Sequence, residues 1–481
     1  MNFAIVRYLI GWMLGIESIF LLLPALTAVI YGEAELPAYL TAAAISLAGA
    51  ALLCHRKPKN TRFYAREGYV TVALCWLVLA VIGALPFVLS REIPFFIDAL
   101  FETVSGFTTT GATILGDVEA LSHASMLWRC LTHWVGGMGV LVFMLIVLPL
   151  AGGQTIFLMR AESPGPAVSK MSPHMRDTAT ILYAIYFGLT VLQMILLLIG
   201  GMPFFDAICV SLGTAGTGGF GNWNDSIAHY NSAYLQNVIT VFMILFGINF
   251  SAYFLILTRK FRQAFRIEEI RVYLGVIFVF AGLIAFNVRP MFGSLRESFH
   301  HALFQVASII TTTGFSTVDF DRWPTFSRAL LVLLMFIGAC AGSTGGGIKC
   351  SRILLLGKSV KKEMMCLIHP RLVRVNKMDG QRVPHEVMRS INVFVVAYAF
   401  IFILSLLIIS LNCEDLVTCF TSVATTLNNV GPGLSLCGPT CNFDFFPPLS
   451  KCVLIFDMLA GRLELFPMLL LFTPGTWQRN K

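Results

Sequence analysis

Thr108-Thr109-Thr110-Gly111 and Thr311-Thr312-Thr313-Gly314 are two copies of one short pattern, and their surroundings decide the fold. Asp98-Ala99 stands thirteen residues before Gly111, and His301-Ala302 stands thirteen before Gly314. The same spacing recurs twice more with looser chemistry. Asp206-Ala207 precedes Gly219, which closes Gly216-Thr217-Gly218-Gly219, and Thr418-Cys419 precedes Gly431, which closes Asn428-Asn429-Val430-Gly431. Each copy lies between two apolar stretches. The segments leading into the glycines are too short to cross a bilayer, so they read as helices that enter and turn back. Backbone that leaves a helix at membrane depth must line water or be buried in protein. Four such loops around one axis satisfy that demand together.

Composition sets the same scene. The chain has 481 residues, 57% hydrophobic and 12% charged, with mean hydropathy +0.77. A soluble domain carries roughly 25% charged residues, so this chain belongs in a bilayer. Ten apolar spans are expected, near 5–30, 37–54, 68–90, 125–150, 178–200, 234–258, 271–289, 327–348, 391–411 and 451–474. The net charge of +8 does not point to nucleic acid, because the cations are confined to particular connections. Arg56, Lys57, Lys59, Arg62 and Arg66 follow the second span, and Arg259, Lys260, Arg262, Arg266 and Arg271 follow the sixth. Lys349, Arg352, Lys358, Lys361, Lys362, Arg371, Arg374, Lys377, Arg382 and Arg389 follow the eighth. Cations gather on the cytoplasmic side of a membrane protein. Both termini are then cytoplasmic and all four loops are outside.

The expected fold is an all-α polytopic membrane protein. Two leading helices (1–67) precede four span–loop–span repeats at 68–177, 178–270, 271–389 and 390–481. The loop chemistry suits a monovalent cation. Backbone carbonyls and threonine hydroxyls replace its hydration shell without a full charge that would trap it. The partial negative end of each short helix adds to this. The site residues expected are Thr108, Thr109, Thr110, Gly111, Gly216, Thr217, Gly218, Gly219, Thr311, Thr312, Thr313, Gly314, Asn428, Asn429, Val430 and Gly431. Gly219, and not its neighbour, is chosen in loop two by spacing alone.

Two further elements carry chemistry. The eighth span contains Gly338, Gly342, Ser343, Thr344, Gly345, Gly346 and Gly347. Each helix-interior glycine costs about 1 kcal/mol against alanine, so the helix should break there; close helix packing is the other reading. A phosphate loop is the poorer reading, because Ile348 separates the last glycine from Lys349 and no soluble βαβ context exists. Arg462 lies within the last span, where an unpaired cation costs at least about 2.5–3.5 kcal/mol. It either pairs with Asp457, Glu464 or a partner on another span, or it stands in the pore below the loops.

These stretches, with Gly433 after Gly431 and with Gly461-Arg462-Leu463-Glu464, resemble the superfamily of K+ transporters that includes bacterial Trk, Ktr and plant HKT proteins. The chain looks most like the bacterial Trk type of potassium-uptake membrane subunit. The resemblance covers nearly the whole sequence, and the two leading spans favour Trk over Ktr. It implies four fused channel-like units around one pore in a homodimer of the bacterial inner membrane. It also implies symport-type K+ uptake, a pore-obstructing loop at 338–347 and an arginine beneath the filter. A cytoplasmic nucleotide-binding ring is the implied regulator, and 349–389 is its natural contact. K+ is the transported ion, and no cofactor, enzymatic activity or nucleic-acid partner is expected. Glycine rather than serine at 111 implies K+ preference; a Na+/K+-permeable relative, or a carrier for another solute, is the alternative. Asp98 and Asp206 are read as N-caps, and His301, which opens the third short helix, as a cap or hydrogen-bonding group. Cys437 and Cys441 either bridge or stay free.

Overall fold

The structure is a computed structural model that describes residues 1–58, 64–147, 175–371, 375–413 and 415–478. The expected span end at 148–150, the following tail of the first repeat to 174, and Lys59, Arg62 and Arg374 lie outside the described residues. Within them the chain is almost wholly helical. Helices α1 (Phe3–Tyr31) and α2 (Leu36–Cys54) lead, followed by α3 (Ala65–Ser90), α4 (Phe96–Phe107) and α5 (His123–Val147). Next come α6 (Met175–Ile199), α7 (Phe204–Gly216), α8 (Ala233–Phe246), α9 (Phe250–Leu257) and α10 (Phe261–Ala264). Then follow α11 (Glu268–Val288), α12 (Leu295–Ile310), α13 (Thr325–Ile337) and α14 (Cys350–Ile368). A two-stranded hairpin, β1 (Lys377–Met378) and β2 (Gln381–Arg382), precedes α15 (His385–Ile409), α16 (Leu416–Leu427), α17 (Pro448–Arg462) and α18 (Phe466–Leu471).

Among the described residues six helices are long and apolar enough to cross a membrane, or seven if α8 and α9 count as one. The leading pair shows why small residues matter between lipid-immersed helices. A Cβ on Gly11 would press on Leu53 and Cys54, one on Gly49 would press on Leu14, and Ser46 Oγ donates to the Leu14 carbonyl at 2.8 Å.

Three of the expected spans are interrupted. The sixth is two helices, α8 and α9, bent by 91° at Gly247–Asn249. Tyr273 Oη and the Thr311 methyl occupy the space a Cβ on Gly247 would need, and Asn249 Oδ1 accepts Ser251 N–H at 2.9 Å to restart the helix. The eighth leaves the helix at Gly338 (φ +70°) and resumes at Cys350, as the glycine run requires. The tenth stops at Arg462 and restarts at Phe466 after Glu464 and Leu465, both with positive φ.

Candidate functional site

Helices α4, α7, α12 and α16 end in one backbone motif. Thr109, Thr217, Thr312 and Asn429 are left-handed, with φ of +56°, +55°, +57° and +56°. The next N–H reaches back five residues: Thr110 to Ser105 O (2.9 Å), Gly218 to Gly213 O (2.9 Å), Thr313 to Ser308 O (2.8 Å) and Val430 to Thr425 O (2.8 Å). The left-handed N–H bonds three back, from Thr109 to Gly106 O at 3.0 Å and equivalently in the others. This pair of bonds is the Schellman C-cap, which normally places glycine at the left-handed position. Here glycine comes two residues later, at Gly111, Gly219, Gly314 and Gly431, with φ of +81°, +80°, +87° and +98°. Gly219 therefore takes the place in loop two that the other three glycines take in theirs.

The four endings close on one another. A Cβ on Gly111 would overlap the Gly218 carbonyl, one on Gly219 the Thr313 carbonyl, one on Gly314 the Val430 carbonyl, and one on Gly431 the Thr110 carbonyl. Each loop thus sets its glycine against the carbonyl before the next loop's glycine, and the fourth returns to the first. The loop residues from Thr108 to Val430 are almost all buried. The ring is joined across its ends by Asn429 Nδ2, which donates to Thr110 Oγ1 at 3.0 Å and to the Met458 carbonyl at 2.9 Å.

Segment 338–349 lies against the underside of this ring. Gly346 N–H donates to Thr312 Oγ1 at 2.6 Å, and Gly347 N–H to the Asn428 carbonyl at 3.0 Å. A Cβ on Gly345 would meet the Thr311 carbonyl at 2.9 Å. Thr344 Oγ1 donates to the Phe246 carbonyl at 3.2 Å, and Ser343 Oγ to the Cys340 carbonyl at 2.6 Å. Gly342 accepts Phe250 N–H at 3.0 Å, and Gly338 faces Gly346 and Gly347 at the base of the segment. The bend at Gly247–Asn249 therefore makes room for the segment, and Cys340 N–H binds the Gly247 carbonyl at 3.1 Å.

Arg462 closes the arrangement. Its guanidinium donates to Thr109 Oγ1 (3.1 Å), to the Thr344 carbonyl (2.8 Å) and to the Gly136 carbonyl on α5 (2.7 Å). It ties loop one, the glycine segment and an inner helix together. The carboxylates considered as its partners are engaged elsewhere. Glu464 holds Arg352 at 2.6 Å, and Asp457 accepts from Ser405 at 2.7 Å.

Several contributors carried no signal in the sequence. Buried Glu269 on α11 accepts Ala341 N–H at 2.6 Å and Ser351 N–H at 3.0 Å through one oxygen, so it holds both ends of the glycine segment. Lys349 Nζ donates to the Gly345 carbonyl inside that segment. His133 accepts Phe220 N–H on Nε2 at 3.1 Å, which leaves Nδ1 to donate to the Gly106 carbonyl at 2.8 Å and joins loops one and two.

The outer ends of the short helices correct the capping expectation. Asp98 is the third residue of α4 and pairs with Lys451 at 2.6 Å, while Lys451 also reaches Asp444 at 3.0 Å. Asp206 accepts from Asn222 (2.7 Å), Trp223 (3.2 Å) and Tyr230 (2.7 Å). Neither caps its helix, because each helix begins two residues before it, at Phe96 and Phe204. His301 lies mid-helix in α12 and bonds Thr317 Oγ1 at 2.9 Å. The side-chain caps are Ser294 on α12 and Asp415 on α16. Hydrogen bonds from the Thr418 and Ser435 hydroxyls pull the Asp415 carboxyl down to about 2. Cys437 and Cys441 are free thiols, one buried and one exposed.

A polytopic helical protein with a closed four-loop ring is the class this geometry defines. Residues 38–280 and 279–478 match the family model TrkH, described as a cation transport protein, and the chain belongs to that family. It is 38% identical over 485 residues to "Trk system potassium uptake protein TrkH" of Salmonella typhimurium, covering 99% of this chain and all of the relative. It is 33% identical to the TrkG potassium uptake protein of Escherichia coli strain K12, covering 98% of each. The crystal structure of the potassium transporter TrkH from Vibrio parahaemolyticus superposes with a TM-score of 0.90 at 33% identity, covering 99% of this chain and all of that one.

Proposed function

We propose that the chain is the ion-conducting subunit of a potassium-uptake system, passing K+ through the four-loop ring. The observation that carries this reading is the closed cycle of glycine against carbonyl through all four loops. A single chain that converges four helix C-terminal ends and their carbonyls on one axis offers a dehydrated cation weak oxygen ligands and no trapping carboxylate. The names of its full-length relatives, which specify potassium uptake, support the choice of ion. Gly111, where Na+-favouring relatives of the resembled superfamily carry serine, is read through that resemblance as K+ preference; a Na+/K+-permeable pore is the alternative.

The glycine segment is the gate in this reading, held shut by Arg462 from one side and by Glu269 at its two ends. A hydrogen bond to a charged group contributes about 1.5–3 kcal/mol, and tenfold in population costs about 1.4 kcal/mol. Arg462 holds the segment by one such bond, to the Thr344 carbonyl, and Glu269 holds its ends by two, so spontaneous opening is rare and an external input must favour the open state. A cytoplasmic nucleotide-binding ring acting on α14 and the basic 349–389 segment is that input. The chain functions as a homodimer in the bacterial inner membrane, with both termini cytoplasmic, and takes up K+ under the drive of the membrane potential.

Rubidium uptake into proteoliposomes, driven by an imposed inside-negative potential and competed by K+ or Na+, tests the reading. Saturable Rb+ uptake blocked by K+ in preference to Na+ is expected. Equal competition selects the Na+/K+ pore, and no Rb+ uptake even from the normally reconstituted Glu269→Ala variant, whose glycine segment is released at both ends, rejects both.

A further inference from the structure

Away from the ring, a concave site opens between the end of α14, the β1–β2 hairpin and the start of α15. Its cavity is about 300 Å³ and is lined by Lys362, Glu363, Arg382, His385, Arg389 and Asn392. That volume is at the lower end of small-molecule sites. Three fixed cations meet there from three different elements. Its carboxylate, Glu363, sits 3.7 Å from Lys362 and is largely exposed, so that pair contributes little. Among the described residues neither the Arg382 nor the Arg389 side chain has a hydrogen bond or an ion pair. Lys377 and Arg382 stand directly opposite each other across the hairpin, a like-charge arrangement that destabilises a strand pair. The beginning of α15 also has no side-chain cap, which leaves its first N–H groups for a ligand.

A second observation identifies the ligand's other end. Directly beyond Arg389 and Asn392, α15 presents Val393, Val396 and Phe400, the last two 70% and 68% exposed. The outer face of α14 likewise presents Val360, Met364 and Leu367. A basic cavity bordered by an exposed apolar strip matches a phosphate with acyl chains attached. Basic pockets of this kind on the cytoplasmic side hold anionic headgroups.

We infer that this cavity binds the phosphate of an anionic phospholipid headgroup in the cytoplasmic leaflet, through Arg382, Arg389 and Lys362, with the chains along α15. The inference rests on the proposed orientation. It matters because α14 starts at Cys350, directly after the glycine segment. One turn before Lys362, Lys358 pairs with Glu268 and donates to the Lys377 carbonyl at 2.8 Å. A headgroup across Lys362, Arg382 and Arg389 braces α14 against α15, so the lipid steadies the cytoplasmic end of the gate.

The test measures retention of radiolabelled phosphatidylglycerol by the purified full-length protein, and Rb+ flux in phosphatidylcholine vesicles with or without phosphatidylglycerol. Arg382→Gln/Arg389→Gln should bind phosphatidylglycerol about thirtyfold more weakly, and Arg389→Lys should keep most of the binding. Wild-type flux should respond to phosphatidylglycerol and the double variant's should not. Equal lipid retention by wild type and double variant overturns the inference. So does displacement of the lipid by inorganic pyrophosphate that also binds without lipid, which assigns the cavity to free phosphate. Absence of Rb+ flux in every vesicle, with Glu269→Ala as well as with wild type, fails the functional proposal alone, because lipid retention is read independently of transport.

Discussion

Three threonines are held where L-residues with branched side chains rarely go. A left-handed non-glycine residue costs roughly 1–2 kcal/mol, and Thr109, Thr217 and Thr312 each bear that strain. Strain retained at equivalent places points to a use for the side chains. Two of the three hydroxyls face other elements: Thr109 receives Arg462, and Thr312 receives Gly346 N–H. Thr217 only turns back to its neighbour's carbonyl at 2.6 Å. Thr217→Gly should therefore raise thermal stability by about 1 kcal/mol without adding Rb+ leak, because its hydroxyl does not touch the segment, whereas Thr312→Gly should increase Rb+ leak because the segment beneath loses its anchor. Matching behaviour of the two variants in melting and flux assays would contradict this division. The glycines make the converse case. Gly219→Ala drives a methyl into the Thr313 carbonyl and should abolish uptake, while a Cβ on Gly221 meets only the Phe315 ring edge at 3.9 Å, so Gly221→Ala should leave uptake near wild type. Uptake lost at 221 and kept at 219 would move the ring glycine of loop two.

Among the elements, the interrupted helices set the layout of the gate. α8 breaks at Gly247, α13 at Gly338 and α17 at Arg462, and the glycine segment occupies the space these breaks leave. The break at 338–347 was legible because five glycines in ten residues defeat a helix on propensity alone. The break at Gly247 was not, because one glycine and one asparagine in an apolar run read as an ordinary span. Its cause is tertiary: Tyr273 and Thr311 press on that glycine. Glu269 escaped for a similar reason, since a carboxylate at the entrance of a span reads as an ordinary flanking charge until its two N–H partners from 341 and 351 are seen. Glu269→Ala should free both ends of the segment and raise Rb+ leak severalfold, while Glu269→Gln, which keeps an acceptor oxygen, should stay close to wild type. Arg462→Ala should raise leak at least as much with insertion intact. If Glu269→Ala lowers flux in a normally inserted protein, the segment is a support for the ring rather than its gate.

At the scale of the whole molecule, the ring closes through contacts between the first and last quarters of the chain. Asn429 binds Thr110, Arg462 binds Thr109, Lys451 binds Asp98, and Phe443 N–H reaches the Thr113 carbonyl at 2.8 Å. The fourfold spacing in the sequence foretold four equivalent loops, and their equal φ values follow that pattern. Their closure depends on side chains some 350 residues apart, as in Lys451 and Asp98, which no local pattern encodes. The orientation of this closed unit rests on the placement of cations, and it yields a direct test. Cys441 is exposed beside the fourth loop, while Cys366 lies near the end of α14 among the basic residues. In right-side-out vesicles a membrane-impermeant maleimide should label Cys441, and in a Cys452→Ser background, which removes the other exposed thiol on that side, Cys441→Ser should abolish that signal; Cys366 should react only after permeabilisation. Labelling of Cys366 from outside, with Cys441 protected, would invert the molecule. It would place the glycine segment outside the cell and leave a cytoplasmic regulator without access to the gate.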